Sequence, residues 1–264
     1  MSDHDAAPID LGELHFEPLA DRPSKVNLSD LGRPSRAGAT VEGLLEGLPN
    51  LLAGRGLKRL RDAIVRARVE GCPVVAALGG HVIKTGCAPY LKDWVERKVL
   101  DGLVLNGSAA IHDLELAIAG RTSEDVGPRL MAGTFGFARE TSELFARACR
   151  RAVDASIGLG AALGEEVIEH GGPGLDASLL VAARRHGVPL TVHVAIGTDI
   201  VHMTARLDAA ALGESSLADF RAVCDLVRGW PGVSGSTWGA PSSCPRSSSR
   251  RWPSPATWAD RSTG

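Results

Sequence analysis

The pattern of apolar positions is clearest between residues 73 and 126. A short apolar run at 74–78 ends in two glycines, and a second at 103–106 ends in Asn-Gly. Helical spacing from 89 to 98 lies between them, with Pro89 suited to a first turn. Short buried runs joined by a helix are typical of a strand–helix–strand unit in a parallel sheet. This segment predicts the centre of the fold.

Similar patterns recur along the rest of the chain. Helical spacing predicts helices at 41–45, 57–69, 109–119, 138–155, 158–170, 176–186 and 216–227. Thr40 is the expected N-cap of the first and Gly120 the expected end of the third. A third strand is expected at 190–196, and a loop at 121–129. Strands alternating with helices predict an α/β fold, a Rossmann-like parallel sheet with helices on both faces.

Composition divides the chain into three parts. Residues 1–37 are polar and predict an N-terminal arm, and residues 38–233 carry the α/β domain. Residues 234–264 hold three of the five tryptophans among Ser, Arg and Pro, with no Leu, Ile or Phe. A disordered tail is one interpretation of this aberrant segment. A frameshift is the hypothesis we favour, because a shifted reading of permissible codons yields a strand-like run and a helix.

Charge and hydropathy argue against a nucleic-acid-binding protein and against a membrane protein. The net charge of −2 comes from well-mixed acidic and basic residues, which argues against nucleic-acid binding. No apolar run approaches 18 residues, so no membrane span is expected. The polar, acidic N-terminus and five scattered cysteines without a CxxC pair indicate a cytoplasmic protein.

Three segments resemble the deoxyhypusine synthase family, most closely its bacterial synthase-like branch. Gly79-Gly-His-Val-Ile-Lys-Thr-Gly86 takes the place of the family's nucleotide loop Thr-Ser-Asn-Leu-Val-Ser-Ser-Gly. Leu105-Asn-Gly-Ser-Ala-Ala-Ile-His-Asp113 takes the place of Thr-Thr-Ala-Gly-Gly-Val-Glu-Glu-Asp. His186-Gly-Val-Pro-Leu-Thr-Val-His-Val-Ala-Ile-Gly-Thr-Asp199 resembles the strand before the family's Asp-Gly-Ser loop. The resemblance covers roughly residues 70–230.

The resemblance implies a cofactor, a substrate class and an assembly. The family binds NAD at subunit contacts in a tetramer, oxidises spermidine with it, and passes an aminobutyl group to a lysine. It therefore implies NAD, a small amine substrate and a homo-oligomer for this chain. No Gly-Ser-Asp-Ser-Gly or Trp-Gly-Lys segment is present, so the catalytic lysine region of the family has no counterpart. The resemblance therefore supports the NAD-binding part of the family's activity more strongly than its transfer of an aminobutyl group.

The candidate cofactor residues follow the three predicted strands. Small and polar residues at such ends let phosphates approach the backbone, although a plain strand-to-helix turn is the alternative. They are Gly79, Gly80, His81, Lys84, Thr85 and Gly86 in the first loop, Asn106, Gly107 and Ser108 in the second, and Thr198 and Asp199 in the third. Thr198 and Asp199 are expected to contact a ribose or an amine.

The candidate catalytic residues are His112 and Asp113. They align with a carboxylate pair of the family, of which only the aspartate is retained, and a His–Asp neighbour can orient an acid/base group. The alternative for Asp113 is a favourable charge near a helix N-terminus. His193, Asp199 and His202 match no closed zinc motif, so no metal is predicted.

Three functions remain open from the sequence. The first is a deoxyhypusine synthase-like enzyme that uses NAD to oxidise or transfer part of a polyamine or related amine. The second is a non-catalytic relative that binds NAD or forms oligomers. The third is an NAD-dependent cyclodeaminase-type enzyme acting on an amino acid. A lysine beside acidic residues in a corrected reading frame would favour the first.

Overall fold

The computed structural model describes Gly12 and residues 14–228. The chain divides into two units, the first ending at Ala63 and the second beginning at Ile64. The boundaries expected after residues 37 and 233 stay predictions. The predicted aberrant tail at 234–264 lies outside the described residues.

The first unit contains a 3-10 turn, a short helix and the beginning of a longer one. The turn is Leu28–Asp30, α1 is Val41–Gly47, and α2 is Leu52–Glu70, which continues past the division. The Thr40 hydroxyl accepts a hydrogen bond from the Gly43 amide at 3.0 Å, which confirms the predicted N-cap.

The second unit is built on three parallel strands. They are β1 (Val75–Leu78), β2 (Gly102–Asn106) and β3 (Leu190–His193), in the spatial order β1-β2-β3. The flanking helices are α3 (Gly80–Lys84), α4 (Ala88–Glu96), α5 (Gly107–Ala119), α6 (Val126–Met131), α7 (Arg139–Asp154), α8 (Leu159–His170), α9 (Leu179–His186) and α10 (Ala209–Arg228), with 3-10 turns at Leu175–Ala177 and Ile200–His202. The predicted mixed α/β class is confirmed.

The core of this unit lies around the central strand. Leu103 and Leu105 of β2 are buried together with Leu114 of α5, Phe145 of α7 and Leu163 of α8. Burial of these side chains supplies the main stabilisation of the unit, at roughly 1.5–3 kcal/mol for each large apolar side chain. Within the described residues, no helix is both long and apolar enough to cross a membrane.

Several element boundaries differ from the sequence prediction. The expected glycine loop at 79–86 contains the five-residue helix α3, and α6 begins inside the loop expected at 121–129. Strand β3 ends at His193 because the following segment turns, with the Thr198 and Asp199 amides both donating to the Ala195 carbonyl. Helix α10 begins at Ala209, seven residues before the expected start of 216.

The early start of α10 has a local cause. The Asp208 carboxylate accepts hydrogen bonds from the amides of Ala210 and Ala211, at 2.8 and 3.1 Å. An aspartate in this position satisfies amides that have no partner within the helix. It therefore permits the helix to begin well before Ser216.

Candidate functional site

The candidate site lies where the three strands end. Because the strands are parallel, their carboxyl ends share one edge of the sheet, and Asn106 of β2 lies opposite His193 of β3. Ligands of open α/β sheets bind in the crevice at this edge, which is called the ligand edge below. All eleven residues predicted to bind a cofactor lie at the carboxyl ends of the strands or in the loops and helices that follow them.

Helix α3 follows β1 directly and packs closely on α5. Gly80 is buried, and a Cβ at this position would overlap the Ser108 hydroxyl and lie 3.0 Å from Cδ2 of His112. Gly80 is therefore a position of close helix approach. Gly79 is exposed, and a Cβ there would lie 3.7 Å from the Asn106 side-chain nitrogen.

The remaining residues of the first loop face solvent. His81, Lys84, Thr85 and Gly86 are exposed. The Thr85 hydroxyl donates to the His81 carbonyl at 2.8 Å, which closes the end of α3. Gly86 has a φ of 82°, a left-handed conformation that glycine adopts without strain. This arrangement leaves the two basic side chains free to meet an anion.

Asn106 and Gly107 form the start of α5. The Asn106 side-chain oxygen accepts a hydrogen bond from the Ala109 amide at 2.8 Å and caps the helix. Gly107 is buried beneath Asp199, whose carboxylate occupies the space that a Cβ at Gly107 would need. Ser108 is half-buried against Gly80.

The loop after β3 brings a carboxylate to the same edge. Asp199 accepts a hydrogen bond from the Ala195 amide at 2.9 Å, and the Thr198 hydroxyl donates to the Ala195 carbonyl at 2.9 Å. Asp199 thus places negative charge at the beginning of α5, where the helix dipole favours it. A carboxylate suits a hydroxyl or an ammonium group and disfavours a phosphate next to it.

His112 lies one turn into α5 and belongs to a hydrogen-bonded chain. Its Nδ1 is 2.7 Å from the Thr122 hydroxyl, which donates to Glu115 at 2.6 Å. The Thr141 hydroxyl of α7 donates to the other oxygen of Glu115 at 3.1 Å. The chain joins α5, α7 and the loop between α5 and α6.

The surroundings of His112 favour its neutral form. Burial lowers the pKa of its imidazole, Glu115 opposes that shift, and the positive charges of Lys84 and His81 reinforce it. Helix α3 lies close to this ring, since a Cβ at Gly80 would be 3.0 Å from Cδ2 of His112. His112 is thus a neutral base at the ligand edge near pH 7.

Asp113 has a structural role and does not contact His112. Its carboxylate accepts hydrogen bonds from the Ser178 hydroxyl and from the amides of Leu179 and Leu180, at 2.6, 2.8 and 3.0 Å. Only 1% of Asp113 is exposed, and burial raises the pKa of its carboxyl against the effect of these donors. The hydrogen bonds of Asp113 thus hold the start of α9, and the carboxylate linked to His112, through Thr122, is Glu115. A catalytic role for Asp113 stays a prediction.

Three residues of this site escaped the sequence analysis. Glu115 follows His112 by three positions, and residues at that spacing are neighbours on a helix surface, so its position was a usable signal. Thr122 and Thr141 carry no comparable signal because they enter from separate segments.

Two further histidines near this edge, His193 and His202, have separate partners. His193 lies 3.0 Å through Nε2 from the Thr191 hydroxyl, and burial lowers its pKa. His202 accepts a hydrogen bond from the Gly197 amide through Nδ1 at 3.2 Å. The described part of the chain contains no group of three or more His, Cys, Asp or Glu residues arranged to hold a metal ion.

Comparisons with known proteins give limited similarity. No protein-family model matches the chain, and no curated protein is similar to it in sequence. A provisionally named deoxyhypusine synthase from Entamoeba histolytica is 14% identical, with a TM-score of 0.40, over 61% of this chain and 63% of that one. A conserved, provisionally named LOR/SDH protein from Methanococcus maripaludis S2 is 15% identical, with a TM-score of 0.40, over 76% of this chain and 52% of that one. The chain therefore matches less than two thirds of either structure.

Proposed function

We propose that the carboxyl edge of the sheet binds NAD and that the chain is a deoxyhypusine synthase-like enzyme acting on a polyamine or a related amine. The observation that carries the proposal is the meeting of a neutral, oriented histidine with basic side chains and a carboxylate at one ligand edge. The sequence resemblance supplies the identity of the cofactor and of the substrate class.

The residues at this edge divide into two groups that fit a dinucleotide. Lys84 and His81 can bind the pyrophosphate, and the exposed Gly79 lets it approach the backbone. Asp199 and Thr198 suit a ribose hydroxyl or the amine of the substrate. Gly80 allows α3 to pack closely on α5, and Gly107 leaves the space that the Asp199 carboxylate occupies. Bound NAD would supply the hydride acceptor.

His112 supplies the acid/base chemistry that amine oxidation requires. An alkylammonium must lose a proton before the carbon beside its nitrogen can give up a hydride. A neutral imidazole accepts that proton, and its low pKa keeps it unprotonated before the reaction. His112 would hold that proton while bound NAD supplies the hydride acceptor.

The family resemblance also leads us to propose a cytoplasmic homo-oligomer, with a tetramer as the expected state. Light scattering coupled to size-exclusion chromatography measures this state directly. A monomer at micromolar concentration would contradict the proposed assembly, and NAD binding is tested by its own experiment.

Calorimetric titration with NAD tests the cofactor. Lys84→Ala should weaken binding at least about tenfold, because a hydrogen bond to a charged group is worth roughly 1.5–3 kcal/mol. Lys92→Ala is the matched control, since Lys92 is paired with Glu96 on α4, away from this edge, and should bind like the parent. Absence of NAD binding at millimolar concentration, or equal loss in both variants, would overturn the cofactor assignment.

Two assays then separate the three functions: NADH formation with spermidine, and ammonia release from ornithine in the presence of NAD. Turnover of spermidine that His112→Gln abolishes supports the synthase-like enzyme. Turnover of ornithine with release of ammonia would instead support a cyclodeaminase. Binding of NAD without turnover of either would identify a non-catalytic relative.

A further inference from the structure

The contact between His112 and Glu115 is indirect. Nδ1 of His112 is 4.0 Å from the nearer oxygen of Glu115, too far for a hydrogen bond. The Thr122 hydroxyl fills this gap, at 2.7 Å from the ring nitrogen and 2.6 Å from the carboxylate oxygen. Any influence of Glu115 on the direction of the ring therefore passes through Thr122.

Counting protons assigns the tautomer of His112. A threonine hydroxyl has one proton, and Thr122 gives it to Glu115. The hydroxyl can then only accept at the short contact with His112, so Nδ1 must carry a hydrogen. Thr141 donates to the second oxygen of Glu115, so the carboxylate accepts a hydrogen bond on both sides.

The other nitrogen is thereby left basic. With its hydrogen on Nδ1, the neutral ring has its lone pair on Nε2. The Cδ2 atom bonded to Nε2 faces Gly80, so this edge of the ring turns toward α3 and its exposed basic residues. The side chain of His112 is 15% exposed, which restricts its other orientations.

We propose that Thr122 and Glu115 are positioning residues that hold His112 in the Nδ1–H tautomer and present Nε2 as the proton acceptor of the ligand edge. The tautomer follows from the hydrogen-bonded chain alone. Its use in catalysis rests on the proposed function.

The charged neighbours of the ring define how each variant should act. Glu115 on the same helix favours the imidazolium, whereas Lys84 and His81 on α3 oppose it. Thr122 from the loop and Thr141 from α7 are uncharged. Loss of Thr122 should therefore redistribute the tautomers, while loss of the Glu115 charge should also lower the pKa.

Two-bond ¹H–¹⁵N correlation spectra of the full-length, ¹⁵N-labelled protein test the proposal without any ligand. The signals of His112 are identified by their absence in His112→Gln. At a pH where the ring is neutral, the parent should show a protonated Nδ1 and an unprotonated Nε2. Thr122→Val should shift most of the population to the Nε2–H tautomer, and Thr122→Ser, which restores a hydroxyl, should return it.

The outcomes distinguish this inference from the proposed function. An Nε2–H tautomer in the parent protein, or a tautomer ratio that Thr122→Val leaves unchanged, would overturn the positioning role. If the parent shows the Nδ1–H tautomer but does not bind NAD, the positioning role is supported and the proposed function is contradicted. If Thr122→Val loses its circular-dichroism signal, the tautomer of the parent and the behaviour of Thr122→Ser still decide.

Discussion

Asp113 and Glu115 are carboxylates two positions apart on the same helix, and their surroundings differ completely. Two positions correspond to a rotation of about 200°, so the two side chains leave opposite faces of α5. Asp113 enters the core and meets the start of α9, 65 residues further along the chain. Glu115 lies on the face of α5 that carries His112, where 21% of its side chain is exposed and two threonines donate to it.

The difference shows what separates a structural carboxylate from one that can support chemistry. The acceptor capacity of Asp113 serves the backbone of α9, and burial closes it to any ligand. Glu115 positions His112 through Thr122, and the Nε2 atom of His112 is left for the ligand edge. Changes to the first should therefore alter stability, and changes to the second should alter the behaviour of His112.

The largest effect on stability is expected from Asp113→Ala. This change leaves the Ser178 hydroxyl and two amides of α9 without their acceptor in a buried place, which should cost about 3 kcal/mol. Denaturant unfolding measures it. Asp113→Asn keeps one acceptor oxygen and should lose less, and a loss below about 1 kcal/mol in the alanine variant would contradict the structural role.

A second buried carboxylate, that of Asp219, should make the stability of the protein depend on pH. Asp219 of α10 is 2% exposed, and one of its oxygens accepts from the amides of Gly160 and Val192, at 2.8 and 2.7 Å. The second oxygen lies beside Gly158 and can carry a proton. Burial raises the pKa of this carboxyl to about 7 against the effect of the two amides.

The sign of the pH dependence follows from this shift. The native state holds the proton of Asp219 where the unfolded chain has released it, so its contribution to stability is lost as pH rises from about 4, where the unfolded carboxyl ionises, to about 7, where the native one does. The free energy of unfolding should fall by roughly 2 kcal/mol from this source between about pH 5 and pH 8. Asp219→Asn should remove that fall.

Glu214→Gln is the matched control for Asp219, since Glu214 is an exposed carboxylate on the same helix. Thermal unfolding at several pH values compares the two variants with the parent. A pH dependence that is the same in all three would show that Asp219 is ionised in the native state throughout this range.

The smallest effect on stability, below about 1 kcal/mol, is expected from Glu115→Gln, because an amide oxygen can still accept from Thr122. The pKa of His112 should nevertheless fall further, since Glu115 is the charge that raises it. A ¹⁵N titration of His112 measures this shift. A pKa that stays unchanged or rises would remove Glu115 from the environment of the ring.

The sequence by itself determined the features that depend on neighbouring residues. Apolar spacing located the strands and most helices, Thr40 marked the start of α1, and Gly120 marked the end of α5, where it has a φ of 67°. Each of these depends on helical period or on backbone bonds spanning a few residues. The order of strands and helices, and with it the α/β class, followed from the same signals.

Only the tertiary structure decided which polar groups meet. His112 and Asp113 are adjacent in the chain, yet their rotation about α5 sends one to the ligand edge and the other to α9. Thr141 reaches Glu115 across 26 residues, and no local pattern records that contact. Such partners are chosen when helices pack and buried polar groups must find donors or acceptors, which is a property of the folded chain.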